Sequence, residues 1–289
     1  MNKTHIRLVA LAIALLALLT TILGIRTLFV DSSIFPYITY RGEVVYLFGS
    51  GIYRHMGETM AHMGAAQDLV TLLIAIPMLI LGAFIHDPEN PRRMVFFTGV
   101  VAYFAVTYTL YLFMATYSQV FIVYVLLAGL SVNLLIYQLI KLYTLKDHGP
   151  INDSEATSGG IAVMAIASLM GLLWLSVIAP SIMESANTPD PLDHYTTLVV
   201  QGADLAFFLP WVFISGVQGF KKHKQGYLYM NVVLVFLSIL MLALSAKIVA
   251  GMVLGTPGMP AIVILPLFMV VSIFHVIWYM KDSPNENHG

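Results

Sequence analysis

Eight long, mainly apolar stretches constrain this chain more than any other feature. They lie at roughly 7–30, 67–86, 94–116, 119–141, 160–183, 198–220, 227–254 and 261–280. About 20 apolar residues in an α-helix cross the hydrocarbon layer of a bilayer. Lipid cannot satisfy backbone N–H and C=O groups, so a lone spanning segment has to be helical. Composition points the same way: 59% of the residues are hydrophobic and only 10% charged, against about 25% charged in soluble domains. The expected fold is all-α, a polytopic integral membrane protein with eight transmembrane helices and membrane lipid as its solvent. A formal net charge of −1 argues against a nucleic-acid partner. The absence of cysteine excludes disulfides, thiolate metal sites and cysteine nucleophiles.

The first apolar run follows Lys3 and Arg7, as in a secretory signal. It continues to Val30 with no small-x-small cleavage site after it, so it reads as a retained first helix. Basic residues then set the orientation. Lys3, Arg7, Arg92, Arg93, Lys141, Lys146, Lys221, Lys222, Lys224 and Lys281 fall on one side, and only Arg41 and Arg54 fall in the opposite loops. The positive-inside rule places both termini in the cytoplasm. The outer side is acidic, with Asp31, Glu43, Glu58, Asp68, Glu184, Asp190, Asp193 and Asp204. Such a face attracts cations, although an outer face depleted of Lys and Arg by the orientation rule has the same composition.

The segment Ala156–Gly160 (ATSGG), preceded by PINDSE, reads as a cytoplasmic linker. It divides the chain into an N-terminal half, 1–150, carrying an outer segment 31–66, and a C-terminal half, 151–289. GAAQDLVTLLIAIP in the second span and QGADLAFFLP in the sixth share an Asp-Leu pair followed by a proline. Four spans per half would give both halves the same orientation, a parallel repeat.

Four charges stand at similar depth: Arg26, Asp68, Asp204 and Lys247. Ionisable groups within spans are costly and tend to pair or to face a watery cavity. Consecutive helices suggest Arg26 with Asp68, and Lys247 with Asp204. Snorkelling cations and carboxylates at helix N-termini fit the same positions. In HMGETMAHMG, a helix would space Met56, Met60 and Met63 along one face and His55 and His62 along the next, with Glu58 between them. His55, His62, Met56 and Met60 together have the chemistry of a soft-metal site, and a Met stripe lying on a membrane surface predicts the same spacing. Arg54, His55, Glu58, His62, Asp68 and His194 also form a possible outer binding pocket. Deeper polar residues are Asn133 with Tyr137, and His275 with Tyr279. Pro77, Pro210 and Pro266 interrupt spans two, six and eight. The sequence assigns no cofactor.

GIYR at Gly51–Arg54, followed by QDLVTL at Gln67–Leu72 and Pro77, resembles a group of uncharacterised bacterial polytopic inner-membrane proteins. The resemblance covers spans one to four and the QGADL stretch. It implies a bacterial inner membrane and carries no activity. Two functional readings follow from the residues. One is a transporter of a small cation or cationic solute with an outward-facing acidic site. The other is a membrane-embedded enzyme or ligand-binding receptor whose polar outer pocket takes a lipid-linked or periplasmic substrate.

Overall fold

In a computed structural model the protein is described at residues 2–29, 33–146, 148–183, 188–189 and 192–281. Asp31, Glu184 and Asp190 lie outside the described residues. Among the described residues, eight helical spans are long and apolar enough to cross a membrane. The spans are α1 (Lys3–Ile25), α2 (Glu58–Val70) continued by α3 (Ile76–Ile85), α4 (Pro91–Met114), α5 (Phe121–Tyr143), α6 (Asp153–Met183), α7 (Val199–Ala203) continued by α8 (Leu209–Phe220), α9 (Lys224–Val253) and α10 (Ala261–Lys281). Spans one, three and five begin at asparagines. Asn2 Oδ1 accepts from the His5 amide at 2.9 Å, Asn90 Oδ1 from Arg93 at 3.1 Å, and Asn152 Oδ1 from Ser154 and Glu155 at 3.0 Å each. A side-chain oxygen there satisfies amides that have no partner inside the helix.

The third and seventh spans form the centre. α4 is buried along most of its length, and its Gly99 lies against α9. A Cβ on Gly99 would stand 2.7 Å from the Val232 carbonyl, so only glycine allows this approach. Around that centre the principal packings come in matched pairs. α4 packs on α5, and α9 on α10. α1 packs on span two and on α5, and α6 on span six and on α10. α2 rests against α9, and α7 against α4.

The Ala156–Gly160 segment is not a linker. It lies inside α6, with Glu155, Ala156, Gly159 and Gly160 buried. A Cβ on Gly160 would come within 2.8 Å of the Gly216 carbonyl on α8. Small residues that read as flexible in isolation are here the means of close helix packing.

The segment between α1 and α2 departs from the all-α expectation. β1 (Phe35–Ile38) and β2 (Val44–Leu47) form an antiparallel hairpin, with Phe35 opposite Leu47 and Ile38 opposite Val44. The chain then folds back so that the amide of Phe48 donates to Met56 O and that of His55 to Phe48 O, both at 2.8 Å. Phe48, Ile52, Tyr53 and Met56 are buried beneath it. Arg41 ties this segment to the loop between spans five and six. It donates to Glu43 at 2.8 Å and to the Asp193 and Tyr195 carbonyls. The Arg41 hydrogen bond holds the Glu43 carboxyl below its ordinary pKa.

Candidate functional site

Asp68 is the focus of a buried polar cluster. It stands three residues before a π-helical turn, Thr71–Ala75, that joins α2 to α3. It is only 2% exposed. Its carboxylate accepts from the Tyr53 hydroxyl at 2.5 Å. Two glycines allow this. Gly24 on α1 has no side chain, and a Cβ there would collide with the Asp68 carboxyl. Gly64 on α2 leaves room for the Tyr53 ring, which a Cβ would meet at 3.0 Å. Tyr53 therefore reaches from the segment between α1 and α2 onto the carboxylate. Burial and the neighbouring Asp68 hold its hydroxyl well above the ordinary phenol range, so it remains a donor.

Gln67 links Asp68's turn of helix to two other spans. Its Nε2 donates to Thr107 Oγ1 on α4 at 3.4 Å, and its Oε1 accepts from Lys247 Nζ on α9 at 3.1 Å. Lys247 is partly buried and lies within electrostatic reach of both Asp68 and Asp204. Asp204 opens a second π-helical turn, Asp204–Phe208, and accepts from Trp174 Nε1 at 2.8 Å. Each π turn ends two residues before a proline, Pro77 or Pro210. Single π turns recur at functional sites, and a following proline removes a further backbone bond. Aligning the two turns matches Asp68 with buried Gln201 and Thr71 with Asp204. The Asp-Leu pairs compared in the sequence are thus three residues out of register.

Buried tyrosines enclose the cluster. Tyr103 shares a 2.7 Å hydrogen bond with Thr71, Tyr108 a 3.4 Å one with Thr20, and Tyr111 donates to the Gly64 carbonyl at 3.3 Å. Tyr124 packs on Tyr111 with ring centroids 5.7 Å apart, and its hydroxyl has no partner among the described residues. Sequence reasoning missed this enclosure because tyrosine counts as apolar filling. Its one visible signal was the face of span three carrying Tyr103, Thr107 and Tyr111 at four-residue steps.

The other candidates scatter. Arg26 is exposed, just past the end of α1, and does not pair with Asp68. Lys247 gives its hydrogen bond to Gln67, whereas Asp204 takes its own from Trp174. Arg54 is exposed, and its carbonyl accepts from Thr116 at 2.7 Å. The expected His–Met helix face does not form, because α2 begins only at Glu58. His55 lies before it in a left-handed turn at φ 71°. His55 sits edge-on to Phe35, and His62 donates from Nδ1 to the Glu58 carbonyl and packs on Phe48. Met56 is buried and Met60 partly so. Among the described residues, no cluster of three or more His, Asp or Glu could hold a metal. Arg54, His62 and Asp68 do not converge on one outer pocket, since Tyr53 covers Asp68.

A second polar cluster lies near the other end of the bundle. Glu155 is fully buried, with His275 Nδ1 3.9 Å from its carboxylate. Tyr227 and Tyr279 pack edge to face beside it, and Asn231 donates to the Tyr227 carbonyl at 3.0 Å. His275 and Tyr279 do share an interior face. Asn133, by contrast, is exposed on the outside of α5.

No known protein family, curated protein or solved structure is matched by this chain.

Proposed function

We propose that the protein is an integral membrane carrier of a small cation and that Asp68 is the carboxylate that binds it. The observation that carries this reading is the enclosure of Asp68. A costly buried carboxylate sits beside a backbone discontinuity, with a lysine from another span compensating its charge and a tyrosine from the outer segment laid over it. Asp68 lines neither of the two cavities described below, so the site suits a proton or a small inorganic cation better than an organic solute. Hydroxyl, amide and carboxylate oxygens are the ligands such ions prefer. Lys247 acts as a tethered competitor. Its ammonium serves the site when no cation is present and yields when one enters.

The arrangement reads as a closed state. Tyr53 shuts the outer side. The approach of α4 to α9 at Gly99 separates Asp68 from the Glu155–His275 cluster. The paired packings and the paired π turns with their prolines support two parallel four-helix halves, 1–150 and 151–289. Rocking of such halves about the α4–α9 contact is the motion that would open the site to either side. A cation can drive that motion only through different affinities in the two states.

The test is thermal unfolding of purified protein in detergent with Li⁺, Na⁺, K⁺ or a pH series. One of these should stabilise the wild type, by about 2.7 kcal/mol at a hundredfold excess over Kd. Asp68→Asn should not respond. A wild type indifferent to every cation and to pH would remove the reading.

We place the protein in a bacterial inner membrane with both termini in the cytoplasm. In intact cells an impermeant thiol reagent should label Val44→Cys and Tyr117→Cys, both at exposed positions, and spare Glu89→Cys and Lys224→Cys. The opposite pattern would invert the topology.

A further inference from the structure

Spans one and four diverge enough to leave a groove and a notch that follow one another along the same two helices. The groove, of about 380 Å³, lies between Val9 on α1 and Leu126, Gly129, Leu130 and Leu134 on α5. It is almost wholly apolar and faces outward from the bundle. The notch, of about 140 Å³, is lined by Lys3, Ile6, His86, Tyr137, Gln138 and Lys141, among others. Ile6 precedes Val9 by three residues and Gln138 follows Leu134 by four. The notch is therefore one helical turn, about 5.4 Å, closer to the helix ends than the groove.

The notch is polar in a way that the fold alone does not require. Gln138 is fully buried and His86 is 4% exposed. They contact each other through Nε2 atoms 3.2 Å apart. That contact leaves Gln138 Oε1 and His86 Nδ1 without a partner among the described residues. Buried polar atoms without partners are uncommon and call for a ligand or water. In a neutral imidazole that accepts at Nε2, the proton sits on Nδ1 and is free to donate. At the rim Lys3 pairs with Asp87 at 3.2 Å, and Lys141 lies over the Tyr137 ring at 5.8 Å. Both ammonium groups keep donors to spare.

We propose that this is a binding site for one anionic glycerophospholipid. An acyl chain lies in the α1–α5 groove, and the phosphate sits in the notch between Lys3 and Lys141 with His86 as a donor. The charge and the continuity of the apolar channel select this occupant over a neutral lipid or a free anion. Basic recesses between spans on the positively charged side are where such headgroups bind. The inference rests on the membrane reading and is independent of transport.

Native mass spectrometry of delipidated protein in detergent tests it, with phosphatidylglycerol and phosphatidylcholine added separately. Wild type should retain one phosphatidylglycerol at least tenfold more strongly than phosphatidylcholine. Lys3→Gln/Lys141→Gln changes two exposed side chains and should abolish the preference. Leu130→Trp fills the groove without touching a charge and should release phosphatidylglycerol. Inorganic phosphate should not compete. Equal retention of both lipids by wild type, a preference that survives loss of both lysines, lipid retention unaffected by Leu130→Trp, or displacement by inorganic phosphate would each overturn the proposal.

Discussion

Lys247→Met is expected to destabilise the protein in detergent by about 3 kcal/mol, the lower end of the cost of removing one partner from a buried charge pair. The lower end applies because Lys247 is partly exposed and gives its hydrogen bond to Gln67, acting on the two carboxylates only at a distance. Adding Asp68→Asn should recover much of that loss, because the charge left stranded is then gone. The double-mutant cycle measures the coupling directly. If Lys247→Met melts like wild type, or if the second substitution only adds to the damage, Lys247 is not the compensating charge of this site.

Gly24→Ala should cost about 2–3 kcal/mol, as overpacking of a close contact does, and should also remove any response to cations. The added methyl falls on the Asp68 carboxyl, which cannot retreat without breaking its hydrogen bond to Tyr53. Gly202→Ala is the matched control. It too is a helical glycine, but its Cβ would meet nothing within 4 Å, so better helix propensity should leave stability unchanged or raised by up to about 1 kcal/mol. Thermal melts of the two variants side by side separate crowding at Asp68 from a general effect of alanine. Equal melts would show that the Gly24–Asp68 contact is not constrained.

The eight long helices were legible because a length and hydropathy sufficient to cross a bilayer can be read without detailed packing. Their beginnings were less so. Span two starts nine residues before its expected position and span five seven before, at Glu58 and Asp153. In both cases a glycine-bearing polar stretch reads as loop by local propensity, while tertiary contact holds it helical. Asp68 and Lys247 stood out because ionisable groups in spans are rare. The Arg26–Asp68 pairing did not form: at Arg26 the α-helix tightens into a 3-10 turn, Arg26–Phe29, and Arg26 lies exposed. Pro77 and Pro210 were visible, but the π turns before them were not, because one absorbed residue leaves no mark on a hydrophobic pattern. Glu155 escaped notice as part of a supposed linker, and Tyr53 because a loop residue gives no sign of the carboxylate it will cover.

Flux of the stabilising cation into proteoliposomes carrying wild type or Asp68→Asn tests the central claim most directly. Wild type should move the ion, or protons if pH is the effective variable, and Asp68→Asn should fall to the rate of empty vesicles while remaining folded. Undiminished flux through Asp68→Asn, or no flux through a wild type that the cation measurably stabilises, would contradict the account of Asp68 as the carrier's binding group.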